Sequence, residues 1–360
     1  MSRAALNFGL LGCGRIAPRH AEVLQAGIEG AKLSAVCDID PKRAEAMGRK
    51  YGVPWYADPE KFLREATLDV VNVLTPSGQH ARDVSMVAQH KKHVVVEKPM
   101  TLTLKDAETM IRECDRSGIR LFVVKQNRYN LPIQALRKAV ENDRFGKMVM
   151  GTVRVRWCRR QDYYDQDSWR GTWAMDGGVF TNQASHHIDM IEWMMGEVDS
   201  VFAKTVTRLV DIETEDTGVA VLNFRSGALG IIEATTATRP KDLEGSITIM
   251  GEKGTVEVAG FAMNEIRTWN FENPLPEDKT IVATARENPP NVYGFGHREY
   301  LRHVVESIRN QTRALVDGVE AMKSIVLINA LYESAETGKE IHLKFRPRHS
   351  RLGRRKDNAA

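Results

Sequence analysis

Short, mostly apolar runs alternate with longer stretches of mixed polarity through the first third of the chain. Residues 6–11 (LNFGLL), 32–37, 68–74, 93–96 and 120–124 are four to seven residues long and are stopped by glycine, proline or charge, which predicts buried strands. The segments between them (17–25, 41–51, 59–65, 79–89 and 104–117) predict helices. Strands alternating with helices over residues 1–124 make a doubly wound parallel sheet of the α/β class.

Beyond Lys125 the pattern changes. After a helix near 133–141, β-rich runs at 147–157, 198–210, 218–224, 228–238 and 246–258 are joined by turns such as Arg225-Ser226-Gly227 and Gly251-Glu252-Lys253-Gly254. This predicts an α+β domain, residues 125–345, with a large, mostly antiparallel, open-faced sheet. One helix over 178–195 is inserted among the strands, and helices over 298–309 and 319–337 close the fold.

Composition narrows the class. A chain of 360 residues fits two domains and a sizeable core. Cys13, Cys37, Cys114 and Cys158 show neither CxxC pairing nor zinc spacing with the histidines, so they read as reduced thiols in a cytoplasm, with no metal site. No apolar run approaches the ~20 residues of a membrane span. Residues 346–360 hold six basic residues against Asp357 alone, which more than accounts for the formal charge of +4. That stretch reads as a short, solvated, disordered tail rather than a nucleic-acid arm.

Candidate chemistry sits at the strand ends. Gly12, Cys13, Gly14, Arg15, Ile16 and Ala17 spell G-x-G-x-x-A between a strand and a helix, where glycines let the backbone approach a pyrophosphate and the helix amides face it. Asp38 ends the second strand, where a carboxylate accepts the adenosine ribose hydroxyls and repels a 2′-phosphate, favouring NAD over NADP. Glu97, Lys98 and Pro99 end the strand at 93–96 and present a lysine where open sheets meet their ligands.

In the inserted helix Asn182, His186 and Asp189 are spaced i, i+4, i+7 and are expected on one face. Before it, Arg156, Arg159, Arg160, Tyr163, Trp169 and Arg170 mix guanidinium groups with aromatic rings. That suits a nucleic-acid surface or a pocket for an anionic nucleotide sugar.

Taken in order, the glycine loop, Thr75, Pro76 and His80, then Glu97-Lys98-Pro99, Gln126, Arg128, Pro132 and the helix with His186 resemble the glucose-fructose oxidoreductase/inositol dehydrogenase (Gfo/Idh/MocA) family over nearly the whole chain. The resemblance implies a Rossmann domain, a β-sheet substrate domain, hydride transfer to a nicotinamide, and a dimer or tetramer built through the sheet. It implies that NAD lies against Gly12, Gly14, Arg15, Ile16, Asp38, Thr75, Pro76, His80, Glu97, Lys98 and Gln126, with Lys98 and His186 catalytic.

The family's usual helix motif is Asp-x-x-x-His, and Asn182 stands at the aspartate's place. Asn182 with His186, the arginine-rich segment 157–173 and the run Tyr293-Gly294-Phe295-Gly296-His297 are similar to the branch of UDP-N-acetylglucosaminuronate 3-dehydrogenases. Those enzymes oxidise a sugar 3-hydroxyl with NAD on the way to bacterial surface polysaccharide such as O-antigen, and members differ in whether 2-oxoglutarate reoxidises the cofactor. On that resemblance Arg128, Arg156, Arg159, Arg160, Tyr163, Trp169, Arg170, Asn182, Gln183, His186 and Tyr293 are expected at the UDP-sugar. A family dehydrogenase for a free sugar or inositol is the alternative. A non-catalytic NAD sensor or DNA-binding protein lacks support, because no helix-turn-helix or zinc-finger pattern occurs.

Overall fold

Strands β1 (Leu6–Leu11), β2 (Ala31–Cys37), β3 (Trp55–Tyr56), β4 (Val70–Val73), β5 (His93–Val96) and β6 (Leu121–Val123) form a parallel sheet in the order β3-β2-β1-β4-β5-β6. Side chains on both faces of β4 are buried, so three of its four residues are valine, and the fourth, Asn72, meets His20 Nδ1 at 2.9 Å. Strand order reverses between β1 and β4, the point at which doubly wound sheets take their ligands. The structure is a computed structural model that describes residues 4–286 and 294–355.

Helices α1 (Ala17–Gln25), α2 (Pro41–Tyr51), α3 (Pro59–Glu65), α4 (His80–Gln89) and α5 (Leu104–Arg116) connect these strands. Asp40, Asp58 and Thr103 cap α2, α3 and α5 by accepting from Lys42, Glu60 and Asp106 N–H groups. No side chain caps α1.

The second unit contains α6 (Leu131–Glu141), β7 (Met148–Arg156), α7 (Gln161–Tyr164) and α8 (Ser185–Met195). It continues through β8 (Val198–Val206), β9 (Thr217–Phe224), β10 (Leu229–Thr235), β11 (Glu244–Gly251), β12 (Gly254–Ala259), β13 (Glu265–Phe271), α9 (Asp278–Thr284) and β14 (Ile341–His342). The sheet runs β13-β12-β11-β7-β10-β9-β8-β14, antiparallel except where β7 pairs with β10. Residues 246–258 split into a hairpin at Gly251 and Gly254. The strand expected to reach 210 stops at 206, because the Asp216 carboxylate takes the N–H groups of Arg208 and Leu209 at 2.9 and 2.8 Å and bends the chain into a loop.

The inserted helix is not one continuous α-helix from 178. Its first turn, Val179–Gln183, is a π-turn, and regular geometry begins at Ser185. A residue distant in sequence holds this turn: the Phe180 N–H donates to the Glu215 carboxylate (3.0 Å) and the Val179 N–H to the Glu215 carbonyl (3.0 Å). Asn182 and His186 are therefore not stacked as consecutive α-helical turns.

The expected boundary of the second domain at 345 also changes. The first compact unit is the chain up to Gln126 together with His297–Met322, and the second is Asn127–Gly296 with the chain from Lys323 onward. Helix α10 (Gly296–Asn310) and the segment after it return to the parallel sheet: the Val123 N–H donates to the Val316 carbonyl (3.2 Å), and the Arg120 guanidinium donates to the Ser307 and Thr312 carbonyls. Helix α11 (Gly318–Thr337) follows.

Residues 346–355 are not a free tail. Arg348 and His349 N–H groups donate to Glu333 on α11 at 2.6 and 3.2 Å, the Arg351 guanidinium meets Glu336 (3.0 Å) and stacks on Trp173, and Leu352 is buried at 3% exposure. One apolar side chain and the carboxylates of α11 anchor a segment whose basic composition alone suggests solvation.

Candidate active site

In the first unit the β1–α1 loop is shaped for close approach. Gly12 has φ +102°, and a Cβ there would lie 2.8 Å from the Leu74 backbone. At Gly14 a Cβ would meet nothing within 4 Å, so the space beside the uncapped N-terminus of α1 is open. Asp38 lies at the end of β2 with one carboxylate oxygen on the Cys13 N–H (2.7 Å) and the other on the Asp40 N–H (2.8 Å). Each oxygen keeps a lone pair for a ribose hydroxyl. Gln126 is buried, and its side-chain oxygen has no partner among the described residues, which suits a cofactor donor. These features fit an adenine dinucleotide.

Other expected cofactor residues have inward roles. Thr75 Oγ1 donates to Asp83 (2.7 Å), and Pro76 opens the short turn before α4. The two His80 ring nitrogens lie at hydrogen-bond distance from carbonyls, Nδ1 from Pro99 (2.9 Å) and Nε2 from Thr75 (2.8 Å), and a neutral ring donates to one of the two. Burial holds its pKa below the ordinary histidine value, against the pull of those carbonyls. His80 thus ties the loop after β4 to the loop after β5.

Glu97 is likewise buried rather than turned outward. Its Oε1 meets His20 Nε2 at 3.0 Å and His297 Nε2 at 3.6 Å, and its Oε2 accepts the Lys98 N–H at 3.0 Å. Burial alone would push this carboxyl up, but the two imidazoles outweigh it and hold the group well below the usual range. Three ligand-type atoms here lie within 4.8 Å of one another, a cluster that sequence spacing gave no hint of. The 3.0 Å contact is a hydrogen-bond distance. Lys98 follows, half-buried, with a cis bond to Pro99.

In the second unit the π-turn gathers a polar cluster. Asn182 donates to Asp176, Gln183 donates to the Tyr163 hydroxyl (3.1 Å) and to the Asn182 side-chain oxygen (3.1 Å), and Arg170 donates to the same Tyr163 hydroxyl (3.1 Å). The Arg170 guanidinium also stacks on Trp169 and Tyr163 and pairs with Asp167. Arg159 stacks on Trp157 and Tyr163 and pairs with Asp242 (2.8 Å), while the Arg160 side chain is exposed. Tyr163, Trp169, Arg170, Asn182 and Gln183 are therefore brought together, with Arg159 on their flank.

Two expected substrate residues are committed elsewhere. Arg156 lies on the sheet with Glu233 (2.6 Å) and Glu244 (3.3 Å), and Arg128 is bound to Asp189. Tyr293 lies outside the described residues. His186, on the first turn of α8, is buried, and so is its neighbour His187, which burial pushes down to about 3 and which packs edge-on against Trp157. Of the two imidazoles, His187 belongs to the core.

Sequence reading missed Asp176, Glu215 and Tyr332. Asp176 is the carboxylate that reaches Asn182, and it also accepts the Gly171 N–H (2.8 Å). A carboxylate absent from position 182 thus reaches the same turn from six residues earlier. The only local signal was an acid ahead of Gly177-Gly178. Glu215 accepts from the Tyr332 hydroxyl (2.8 Å), and burial lifts its pKa to about 7 against that bond, the Phe180 N–H and the charge of Arg351.

Comparison with known proteins agrees with this geometry. Residues 6–125 match the NAD-binding Rossmann fold of the Gfo/Idh/MocA oxidoreductase family, and residues 137–343 match its C-terminal alpha/beta domain. The chain belongs to that family and is an NAD-dependent oxidoreductase. It is 30% identical to a myo-inositol 2-dehydrogenase of Thermotoga maritima over 94% of this chain and 99% of the relative. Two solved structures are more similar. The WlbA dehydrogenase of Bordetella pertussis, in complex with NADH and UDP-GlcNAcA, shares 43% identity over 95% of this chain and 99% of its own, with a TM-score of 0.91. The WlbA protein of Chromobacterium violaceum, with the same two ligands, shares 41% over 95% and 97%, with a TM-score of 0.89.

Proposed function

We propose that the protein oxidises the 3-hydroxyl of a UDP-linked N-acetylated hexuronate, UDP-N-acetyl-D-glucosaminuronate, to the 3-keto sugar with NAD. The reading is carried by the similarity over 95% of the chain to two dehydrogenases that hold NADH and UDP-GlcNAcA. Residue chemistry supports it: Arg170, Tyr163, Asn182 and Gln183 form a cluster of donors and rings suited to an anionic sugar. The glycine loop, Asp38 and Gln126 of the first unit would hold NAD, which would supply the hydride acceptor.

The chain's own residues manage the proton. His186 is the base that takes the hydroxyl proton, because a neutral imidazole offers a ring nitrogen that accepts one. Lys98 donates to the hydroxyl oxygen and stabilises the negative charge that develops on it. Arg159 and Arg160 are the further candidates for the diphosphate and carboxylate.

The product would be a carbonyl sugar ready for amination in surface-polysaccharide (O-antigen) synthesis, which places the reaction in the cytoplasm. No described helix is long and apolar enough to cross a membrane. The outer face of the second sheet carries exposed Phe202, Val206, Val219, Val221, Leu229 and Ile231 on neighbouring strands, and this apolar face supports assembly into a homotetramer or dimer through the sheet.

The second reading, a free-sugar or inositol dehydrogenase, is favoured by the 30% identical inositol enzyme. Purified protein with NAD and a panel of UDP-sugars, TDP-sugars, free sugars and inositol, with and without 2-oxoglutarate, decides between them by NADH formation and the keto product. Turnover of a free polyol in preference to every nucleotide sugar rejects the first reading. Turnover that becomes catalytic only with 2-oxoglutarate identifies the oxidant that restores NAD.

A further inference from the structure

The segment 348–353 lies against the turn that carries the sugar-side cluster. Leu352 is 3% exposed, and its side chain fills the space beside Gly177: a Cβ on Gly177 would come within 2.9 Å of it. The Gly353 N–H donates to the Trp173 carbonyl (2.8 Å), and the Arg351 guanidinium covers the Trp173 ring at 4.1 Å.

Trp173 in turn meets Tyr332 edge-on at 5.3 Å. The Tyr332 hydroxyl accepts the Gly178 N–H (3.2 Å) and a bond from Thr181 Oγ1 (3.0 Å) and donates to Glu215, which holds Phe180. The Leu352, Tyr332 and Glu215 contacts end on residues 177–181, just before Asn182 and Gln183, and the Gly353 and Arg351 contacts end on Trp173, which packs on Tyr332. Gly177 has φ +79° and Gly177-Gly178 offer no side chains of their own, so the backbone there is set by what packs on it.

We propose that residues 348–353 are a strap, with Arg351 and Leu352 as positioning residues, that fixes the π-turn and its Asn182 and Gln183 for sugar binding. The assignment rests on the reading of this cluster as the sugar site. Arg351 is half exposed and pairs with Glu336 at the surface, so its ion pair contributes little. The buried Leu352 and the backbone bonds carry the strap. Misplacing substrate-orienting groups by about 1 Å costs on the order of a hundredfold in rate, so a loosened strap is felt at the sugar rather than at NAD.

The test compares the full chain, a deletion of residues 346–360, and the full-length Leu352→Asp variant. Four readouts are taken: NADH affinity by fluorescence, KM and kcat for UDP-N-acetylglucosaminuronate, amide hydrogen exchange over 176–186, and recovery on adding a synthetic 346–360 peptide. The expected result is unchanged NADH affinity, sugar KM raised roughly tenfold or more, faster exchange confined to 176–186, and partial recovery with the peptide. Unchanged sugar kinetics and exchange in both variants overturn the strap. So does loss of NADH binding in both together with exchange rising throughout the chain, which marks a general folding role. If the full chain does not turn over the sugar, the function reading has failed, and the exchange measurement alone decides the strap.

Discussion

Arg128 and Asp189 face each other in a bidentate pair, Nε to Oδ2 at 2.8 Å and Nη2 to Oδ1 at 2.9 Å, with both side chains only 3% exposed. The guanidinium also lies over the Trp193 ring at 4.5 Å. The pair links the chain just after Gln126 to α8, one turn beyond His186. Removing one partner of such a buried pair typically costs ~3–5 kcal/mol, because a charge is left in low dielectric. Asp189→Ala should lose that much in urea unfolding, and Arg128→Met/Asp189→Leu should recover a large part of it. If Asp189→Ala is as stable as wild type while only sugar KM changes, Arg128 belongs to the substrate after all.

Cofactor choice should follow Asp38. Its carboxylate opposes a 2′-phosphate, and neighbouring Ile39 is exposed. Wild type should prefer NAD, and Asp38→Ser with Ile39→Arg should shift the ratio of kcat/KM values toward NADP. Equal use of both cofactors by wild type would remove Asp38 from the ribose.

The proton should leave through His186. His186→Asn should lower kcat by about two to four orders of magnitude and abolish the acidic limb of the pH profile, with NADH binding intact. Lys98→Met should lower kcat while keeping that limb. A His186→Asn enzyme with an unchanged acidic limb transfers the base role to Lys98, and full turnover in both variants ends the assignment.

Glu215 gives a pH dependence of known sign. Its folded pKa, raised to about 7 from an ordinary 4.5, means the native state holds a proton that the unfolded chain gives up between those values. Stability from this group is therefore fully present below about pH 4.5 and is lost as pH rises to about 7, by ~3 kcal/mol at most. Glu215→Gln should flatten that part of the stability curve measured by urea unfolding from pH 5 to 8. A curve of unchanged slope would show that the carboxyl titrates normally.

The exposed apolar sheet face makes a separate prediction. Val221→Lys, on the open side of β9, should lower the mass found by sedimentation while leaving the fold intact by circular dichroism. A wild-type protein that sediments as a monomer at micromolar concentration dismisses the assembly.

What could be read from the chain was what local physics specifies. Strands 93–96 and 68–74 announce themselves as buried runs, and Gly12 marks a backbone approach that a side chain forbids. What stayed hidden depends on partners distant in sequence. Glu97 looks like a charged residue at a strand end, and only the fold brings His20 and His297 to it. The period of 178–195 reads as one helix because nothing nearby shows that Glu215 will take the Phe180 N–H. Arg128 and Arg156 carry the right charge for an anionic sugar, yet their carboxylates lie 61 and 77 residues away. Tail composition suggested solvation, and one leucine among the arginines decided otherwise.

The return of residues 297–322 to the parallel sheet bears on how the chain is made. A ribosome delivers the six strands early, but His297 for Glu97 and the Val316 carbonyl for Val123 emerge only after strands β7 to β13 of the second sheet have been synthesised. The nucleotide-binding half therefore waits, incomplete, while about 170 intervening residues appear, and the usual order in which an N-terminal domain finishes first does not apply. A nascent chain stalled before residue 297 holds every glycine of the dinucleotide loop and still lacks the imidazole that completes the setting of Glu97, the residue next to Lys98.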